Sequence, residues 1–177
     1  LQYRWLGELE RNTALARRAV LLKVLEVVSR EAFGELKASA EPAFGVGPAD
    51  LSDEGLARLA ARLGCGRCEG VRRLFVFSLG AKHPLHFLDP GTQTLAIPEY
   101  SDETLAVWSA VAPWTVLAKK GAVADDHRVH SDERDPRHRI MLRVITDREG
   151  QIVGLEGVVV DDRYFAQQAL PRAIRST

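Results

Sequence analysis

The pattern of apolar and polar positions gives the first part of the chain a helical character. From residue 1 to about residue 40, apolar side chains recur at helical spacing and no proline interrupts them, so we predict one long helix. A shorter helix is predicted to begin after Ser52, whose side chain can cap it, and to end at Gly64. The segment between the two helices contains two Pro and two Gly, which is typical of a loop.

The second part of the chain alternates short β-branched and aromatic runs with turn residues, as antiparallel strands do. Residues 71–79 are largely apolar on both sides, which predicts a central strand. Shorter strands are predicted at 85–88 and 94–97, because each is bounded by proline-containing turns.

A helix capped by Ser101 is predicted to follow these strands and to stop near Pro113, because proline lacks the N–H that continues a helix. Residues 125–138 come next, and their high polarity without periodicity predicts a mobile surface loop. His127 and His130 lie in this loop and could bind a metal together with neighbouring aspartates. Polar loops of this kind usually hold no metal, and we predict none here.

A β-hairpin is predicted over residues 139–160, where two apolar runs flank a polar turn that ends in glycine. With Val144 placed opposite Val153, one face is wholly apolar through Ile140, Leu142, Val144, Val153, Leu155 and Val159. The other face mixes Met141, Ile145, Ile152 and Val158 with the charged residues Arg139, Arg143 and Glu156. We expect the apolar face to lie under the long first helix and the mixed face to look toward the 101–113 helix and the histidine loop.

These elements predict an α+β fold in a single domain of 177 residues. The expected architecture is a PAS-like five-stranded antiparallel sheet, with the long N-terminal helix on one face and a helix plus loop on the other. The segments are the first helix (1–40), a loop and short helix (41–70), the sheet with its inserted helix (71–161) and a last helix (162–177).

Charge and composition exclude some classes of function. Lys+Arg and Asp+Glu both number 24, so the net charge is zero, which argues against a non-specific nucleic-acid binder. No apolar run approaches the roughly 18–20 residues that span a bilayer. Because the chain begins with Leu1 rather than Met, we expect it to be part of a longer protein.

The two cysteines, Cys65 and Cys68, form a single Cys-x-x-Cys sequence. A structural zinc site would need two further ligands, and no second such pair is present. Either a local disulfide that closes a turn or two unpaired thiols fits this sequence, and an oxidising compartment would favour the disulfide.

Both ends of the chain resemble a known family. The opening Leu1-Gln-Tyr-Arg-Trp-Leu-Gly-Glu, together with Val158-Val-Val-Asp-Asp-Arg-Tyr-Phe and the later Leu170-Pro-Arg, is similar to the extracytoplasmic sensor domains of bacterial membrane-bound two-component histidine kinases. These are PAS-like domains, often called PDC or Cache domains. The resemblance implies a periplasmic domain of an inner-membrane protein, a homodimer formed through the first helix, and a parent chain that phosphorylates itself on His.

If the chain is such a sensor, a ligand would bind on the mixed face of the sheet. The candidate ligand residues are Arg139, Arg143, Glu156, Tyr100, Trp108, Trp114, His127 and His130. Two arginines suit a small anionic ligand, whereas Glu156 could simply neutralise them, in which case a partner protein would provide the signal.

Two other classes of function remain open. One is a non-catalytic structural or docking module of a secreted or membrane protein. The other is a small hydrolase-like enzyme, although Ser78 and Ser109 have no evident base and no catalytic-triad spacing occurs. We therefore expect neither catalytic residues nor a cofactor in this part of the parent chain.

Overall fold

The computed structural model describes residues 2–62, 69–89, 92, 94–125 and 128–176, with the backbone alone at residues 2–12, 53 and 60–62. The helices are α1 (Gln2–Ala40), α2 (Asp53–Arg62), α3 (Asp102–Lys119) and a C-terminal helix composed of Asp162–Tyr164, a π-helical turn Phe165–Ala169 and Leu170–Ser176. The strands are β1 (Val71–Ser78), β2 (Leu85–Asp89), β3 (Thr94–Ala96), β4 (Val129–Asp132), β5 (Ile140–Thr146) and β6 (Ile152–Val160). The predicted α+β class and the long first helix are confirmed.

The strands form one antiparallel sheet in the order β3-β2-β1-β6-β5-β4. The central position predicted for β1 is confirmed, since β1 lies between β2 and β6. The prediction of five strands is wrong, because β4 adds a sixth within the segment 125–138 that was predicted to be a loop. This edge strand is short and mostly polar, so it lacks the apolar alternation that reveals a strand in sequence.

Helix α3 continues through Pro113 to Lys119, so the predicted stop near Pro113 is wrong. A proline inside a helix leaves the carbonyl four residues earlier without its usual N–H donor. Here that carbonyl belongs to Ser109, and the guanidinium of Arg134 donates a hydrogen bond to it at 2.7 Å. A side chain from the segment after β4 therefore replaces the missing bond, and the helix runs on.

The hairpin of β5 and β6 has a different register from the one predicted. Val144 pairs with Leu155 rather than Val153, a shift of two residues that keeps most side chains on their predicted faces. An irregularity between Ile145 and Thr146 interrupts the pairing near the turn. As a result Ile152 and Val153 exchange faces relative to the prediction, because a bulge reverses the alternation beyond it.

The two faces of the sheet are covered by the opposite helices from those predicted. Residues of α3 pack on the wholly apolar face, which also carries the phenylalanines of β1 and β2 (Phe75, Phe77, Phe87, Val107, Ala110, Val111, Ile140, Leu142, Val144, Ile152, Leu155 and Val159). The last turns of α1 and the C-terminal helix pack on the mixed face, through Leu36, Ala40, Met141, Val158, Tyr164 and Ala169. We call these the α3 face and the α1 face.

The reversal has a physical reason. The large aromatic cluster requires a long apolar cover, and two thirds of the residues of α3 are apolar. Only the last turns of α1 reach the sheet, so α1 covers less apolar surface than α3 does. It packs on the face where the ion pair of Arg143 and Glu156 lies beside the apolar residues.

Gly157 provides a test of the packing on the α3 face. A Cβ added at Gly157 would lie 2.2 Å from Cζ of Phe75 and 2.7 Å from the carbonyl oxygen of Met141. We expect Gly157→Ala to lower the free energy of unfolding by about 2 kcal/mol, measured by urea denaturation, because the tight packing must open.

The same substitution at Gly34 is the matched control. Gly34 lies in α1 with no atom within 4 Å of its added Cβ. Because alanine favours helix over glycine, Gly34→Ala is expected to raise stability by up to about 1 kcal/mol. If Gly157→Ala and the unmutated chain unfolded at the same urea concentration, this would contradict the packing of Gly157 against Phe75.

Candidate functional site

The structure separates the predicted ligand residues instead of gathering them. Trp108, Trp114 and His130 belong to the α3 face, whereas Arg143 and Glu156 belong to the α1 face, so the sheet lies between the two groups. Tyr100 precedes α3 and is 86% exposed. His127 and the candidate disulfide pair Cys65 and Cys68 lie outside the described residues. The expected position of the mixed face opposite α3 is therefore wrong.

Glu156 is a buried carboxylate on the α1 face that accepts hydrogen bonds from three residues. Only 2% of the residue is exposed. Its Oε2 accepts hydrogen bonds from the main-chain N–H groups of Gly45 and Val46, both at 2.9 Å. Its Oε1 accepts from Nε of Arg143 at 2.8 Å. The carboxylate thus joins neighbouring strands β5 and β6 to the loop that follows α1.

This arrangement fits a structural ion pair better than an open ligand site. The Arg143 side chain is 26% exposed, and its guanidinium also lies 5.5 Å from the centre of the Phe44 ring. Both oxygens of Glu156 already have donors. Removing one partner of a buried pair typically costs about 3–5 kcal/mol, because the other charge remains buried.

Arg139 does not join this pair. Its Nη1 donates to Oδ1 of Asp162 and to the carbonyl of Pro136, both at 2.6 Å. Its guanidinium also lies 3.8 Å from the centre of the Phe165 ring, within the range of a cation–π contact. Arg139 therefore connects the start of β5 to the C-terminal helix.

The aromatic residues of the α3 face are packed against one another. The rings of Trp108 and Phe77 meet edge to face with centroids 5.2 Å apart, and Trp114 covers His130 at 4.5 Å. Burial lowers the pKa of His130 below its ordinary value of 6.5, and the charge of Arg128 lowers it further. Among the described residues, no group of three His, Cys, Asp or Glu side chains could hold a metal ion.

A cleft of about 660 Å³ opens at the end of the sheet where β1 begins and α3 starts. Its walls come from β1, β2, β3, the segment before α3 and the first turn of α3. We call it the arginine cleft. The residues used below are Arg72, Arg73, Asp89, Glu99, Asp102, Glu103 and His138, and Tyr100 also lies in its wall.

Two consecutive arginines reach the same carboxylate in this cleft. Nε of Arg72 lies 3.1 Å from Oε2 of Glu103, and Nη1 of Arg73 lies 3.2 Å from Oε1. Neighbouring residues on a regular strand point to opposite faces, but the pairing of β1 with β6 shifts between Val71 and Arg73. This bulge makes Arg72 the extra residue and turns both guanidiniums toward α3.

Glu103 is the buried centre of the cluster. The residue is 5% exposed although it lies in the first turn of α3. Within the described part of the chain, its Oε2 has no well-aligned hydrogen-bond donor, because Arg72 is close but poorly oriented. A buried acceptor with an unfilled lone pair is uncommon and points to a missing partner.

His138 completes one side of the arginine cleft. Its Nδ1 lies 2.9 Å from Oδ2 of Asp135. The hydrogen bond from His138 holds the pKa of the Asp135 carboxyl below its usual range, with a further contribution from the main-chain N–H of Arg137. The histidine ring is therefore held in place by a neighbour outside the cleft lining.

Sequence reasoning missed this cleft. The only signal was a pair of arginines at the start of an otherwise apolar strand, and strict alternation would place them on opposite faces. The bulge and the distant partner Glu103 become visible only in the folded chain.

Comparison with known proteins gives no family for the chain. No protein-family model matches the sequence, and the comparisons with curated proteins and with solved structures found no match either. In the described part of the chain, no helix combines the length and apolar character that crossing a membrane requires.

The pKa of His130 tests the packing under Trp114. We expect an NMR titration to place it below 6.5, because burial disfavours the imidazolium. The folded state then binds fewer protons than the unfolded state. The contribution of His130 to stability is thus complete above pH 6.5 and is lost as the pH falls through the folded pKa.

The variant Trp114→Ala removes the ring that covers His130 and is expected to move this pKa back toward 6.5. A His130 pKa at or above 6.5 in the unmutated chain, or the same pKa in Trp114→Ala, would contradict the burial of His130.

Proposed function

We propose that this chain is the extracytoplasmic signal-sensing domain of a membrane-bound histidine kinase, with a PAS-like sheet as its core. The observation that carries the proposal is the arrangement of the first and last helices on one face of the sheet. Tyr164 Oη lies 2.8 Å from Oγ of Ser39, and Nη1 of Arg172 lies 3.7 Å from Oε2 of Glu35. The later residue of the C-terminal helix contacts the earlier residue of α1, so the two helices run antiparallel.

Both helices are also fixed to the sheet by polar contacts. Glu156 of β6 holds the loop directly after α1, and Arg139 before β5 holds Asp162 at the start of the C-terminal helix. A change in the hairpin would move both helices, because each is bonded to it at its sheet-proximal end. Small shifts of adjacent helices are an established way to pass a signal between domains.

The N-terminal part of α1 supports a dimer. The helix has 39 residues and is about 58 Å long. From Thr13 to Glu31 no described side chain is buried, and six large apolar residues there are between 44% and 63% exposed: Leu15, Val20, Leu21, Leu22, Val24 and Leu25. Because exposed apolar stretches of this kind usually pack against a partner, the homodimer expected from the sequence would form here.

The sequence of the full-length parent tests the proposal most cheaply. The proposal expects an apolar span of about 20 residues immediately before Leu1 and a second one at some point after Thr177. A parent without either span would contradict a membrane-bound sensor and would favour a docking module.

The dimer is tested with Leu22→Glu. We expect the unmutated 177-residue chain to sediment as a dimer in analytical ultracentrifugation. Leu22→Glu is expected to sediment as a monomer, because a charge would be buried between the helices. The matched control is Lys23→Glu, which places the same charge at the next position, where the parent residue is already charged and exposed, and is expected to leave the dimer intact. If the unmutated 177-residue chain sedimented as a monomer, this would contradict the dimer and remove this support for the sensor.

A further inference from the structure

We propose that the arginine cleft binds a small molecule that carries a single carboxylate or phosphate group at one end and hydroxyl or amino donors at the other. This inference deepens the proposed function, because it names the ligand class that a sensing site in this position would take. The binding itself follows from the geometry of the cleft and requires neither the dimer nor the membrane.

The two guanidiniums provide the anion-binding end. The side chains of Arg72 and Arg73 are 51% and 43% exposed, so both are open to the cleft. A guanidinium has five N–H donors, and among the described residues only Glu103 lies within ion-pair distance of either arginine. Donors therefore remain for a carboxylate or phosphate, whose oxygens match the fork of a guanidinium.

Glu103 acts as a positioning residue at this end. Its buried carboxylate keeps the two like-charged guanidiniums side by side, which they would otherwise avoid. Arg73 is further held over the Phe87 ring, 5.5 Å from its centre. The anion site is thus assembled before a ligand arrives, which reduces the entropy that binding must overcome.

The remaining charges limit the ligand to one anionic group. The cleft lining has four carboxylates, from Asp89, Glu99, Asp102 and Glu103, against two guanidiniums. A second anionic group would approach these acids and be repelled. Hydroxyl or amino groups would be attracted, because carboxylates accept hydrogen bonds.

Glu103 itself is closed to the ligand, because its Oε2 is fully buried. The donor groups of the ligand would therefore meet the other carboxylates of the lining, those of Asp89, Glu99 and Asp102. The cleft volume of about 660 Å³ also falls in the range of sites for small metabolites.

Five probes test this class on the 177-residue chain by isothermal titration calorimetry at low ionic strength. Gluconate, glutamine and glycerol 3-phosphate each have one carboxylate or phosphate head and donor groups, so they distinguish a carboxylate from a phosphate ligand. Citrate has three carboxylates, and glucose has no charge. We expect at least one of the first three to bind, and citrate and glucose to bind at least about tenfold more weakly.

The variant Arg73→Gln is expected to weaken binding by about tenfold or more, because it removes a charge-assisted hydrogen bond. Arg72→Gln is a second variant, placed at the bulge, that keeps the test valid if Arg73→Gln is poorly folded. Arg148→Gln removes the same charge from the exposed hairpin turn at the opposite end of the sheet and is expected to bind as the parent chain does.

Binding by none of the three single-headed probes would overturn the inference, and so would tighter binding of citrate. Unchanged affinity in folded Arg72→Gln and Arg73→Gln would overturn it as well. These outcomes are separate from those for the proposed function, since a chain that dimerises but binds no probe loses only the ligand site.

Discussion

The buried carboxylate of Glu156 is the constraint on which the arrangement of the helices depends. A buried charge must be paired, and here the partners come from two places in the sequence: Arg143 on β5 and the amides of Gly45 and Val46 after α1. If the loop moved away, the carboxylate would lose two donors in a site that is 2% exposed. The end of the long helix is therefore fixed relative to the hairpin, and the C-terminal helix packs beside it on the same face.

The arginine cleft lies at the end of the sheet where β6 leads into the C-terminal helix. The bulge that turns Arg72 and Arg73 toward α3 occurs where β1 pairs with Val159 and Val160, the last residues of β6. Directly afterwards, the main-chain N–H of Asp161 donates to the carbonyl of Gly70 at 2.8 Å, just where the C-terminal helix begins. A ligand that pulls on the two arginines would thus act on the strand segment nearest that helix. The proposed ligand site therefore lies beside the start of the C-terminal helix, one of the two helices through which the signal is proposed to pass.

The sequence predicted the elements with strong periodicity and failed where distant partners decide the structure. The length of α1 and the central strand followed from local patterns. The faces of the hairpin also survived a register error of two residues, because side chains alternate with period two. Periodicity does not say which helix covers which face, so that assignment was reversed. Pro113 was read as a stop because its compensating donor, Arg134, lies far along the chain. For the site, the sequence leaves open whether Glu156 neutralises Arg139 and Arg143 or binds a ligand with them; in the folded chain Glu156 pairs with Arg143 and Arg139 with Asp162. The two amide donors of Glu156 and the whole arginine cleft required the folded chain.

Amide hydrogen exchange of Gly45 and Val46, followed by NMR, tests the central claim most directly. These two residues lie in a loop outside the strands, so sequence alone would lead one to expect fast exchange. If the Glu156 carboxylate holds the loop, both amides will exchange only when the sheet opens, with protection comparable to that of the β6 amides. Exchange of both amides at the rate of an unstructured peptide would contradict the account.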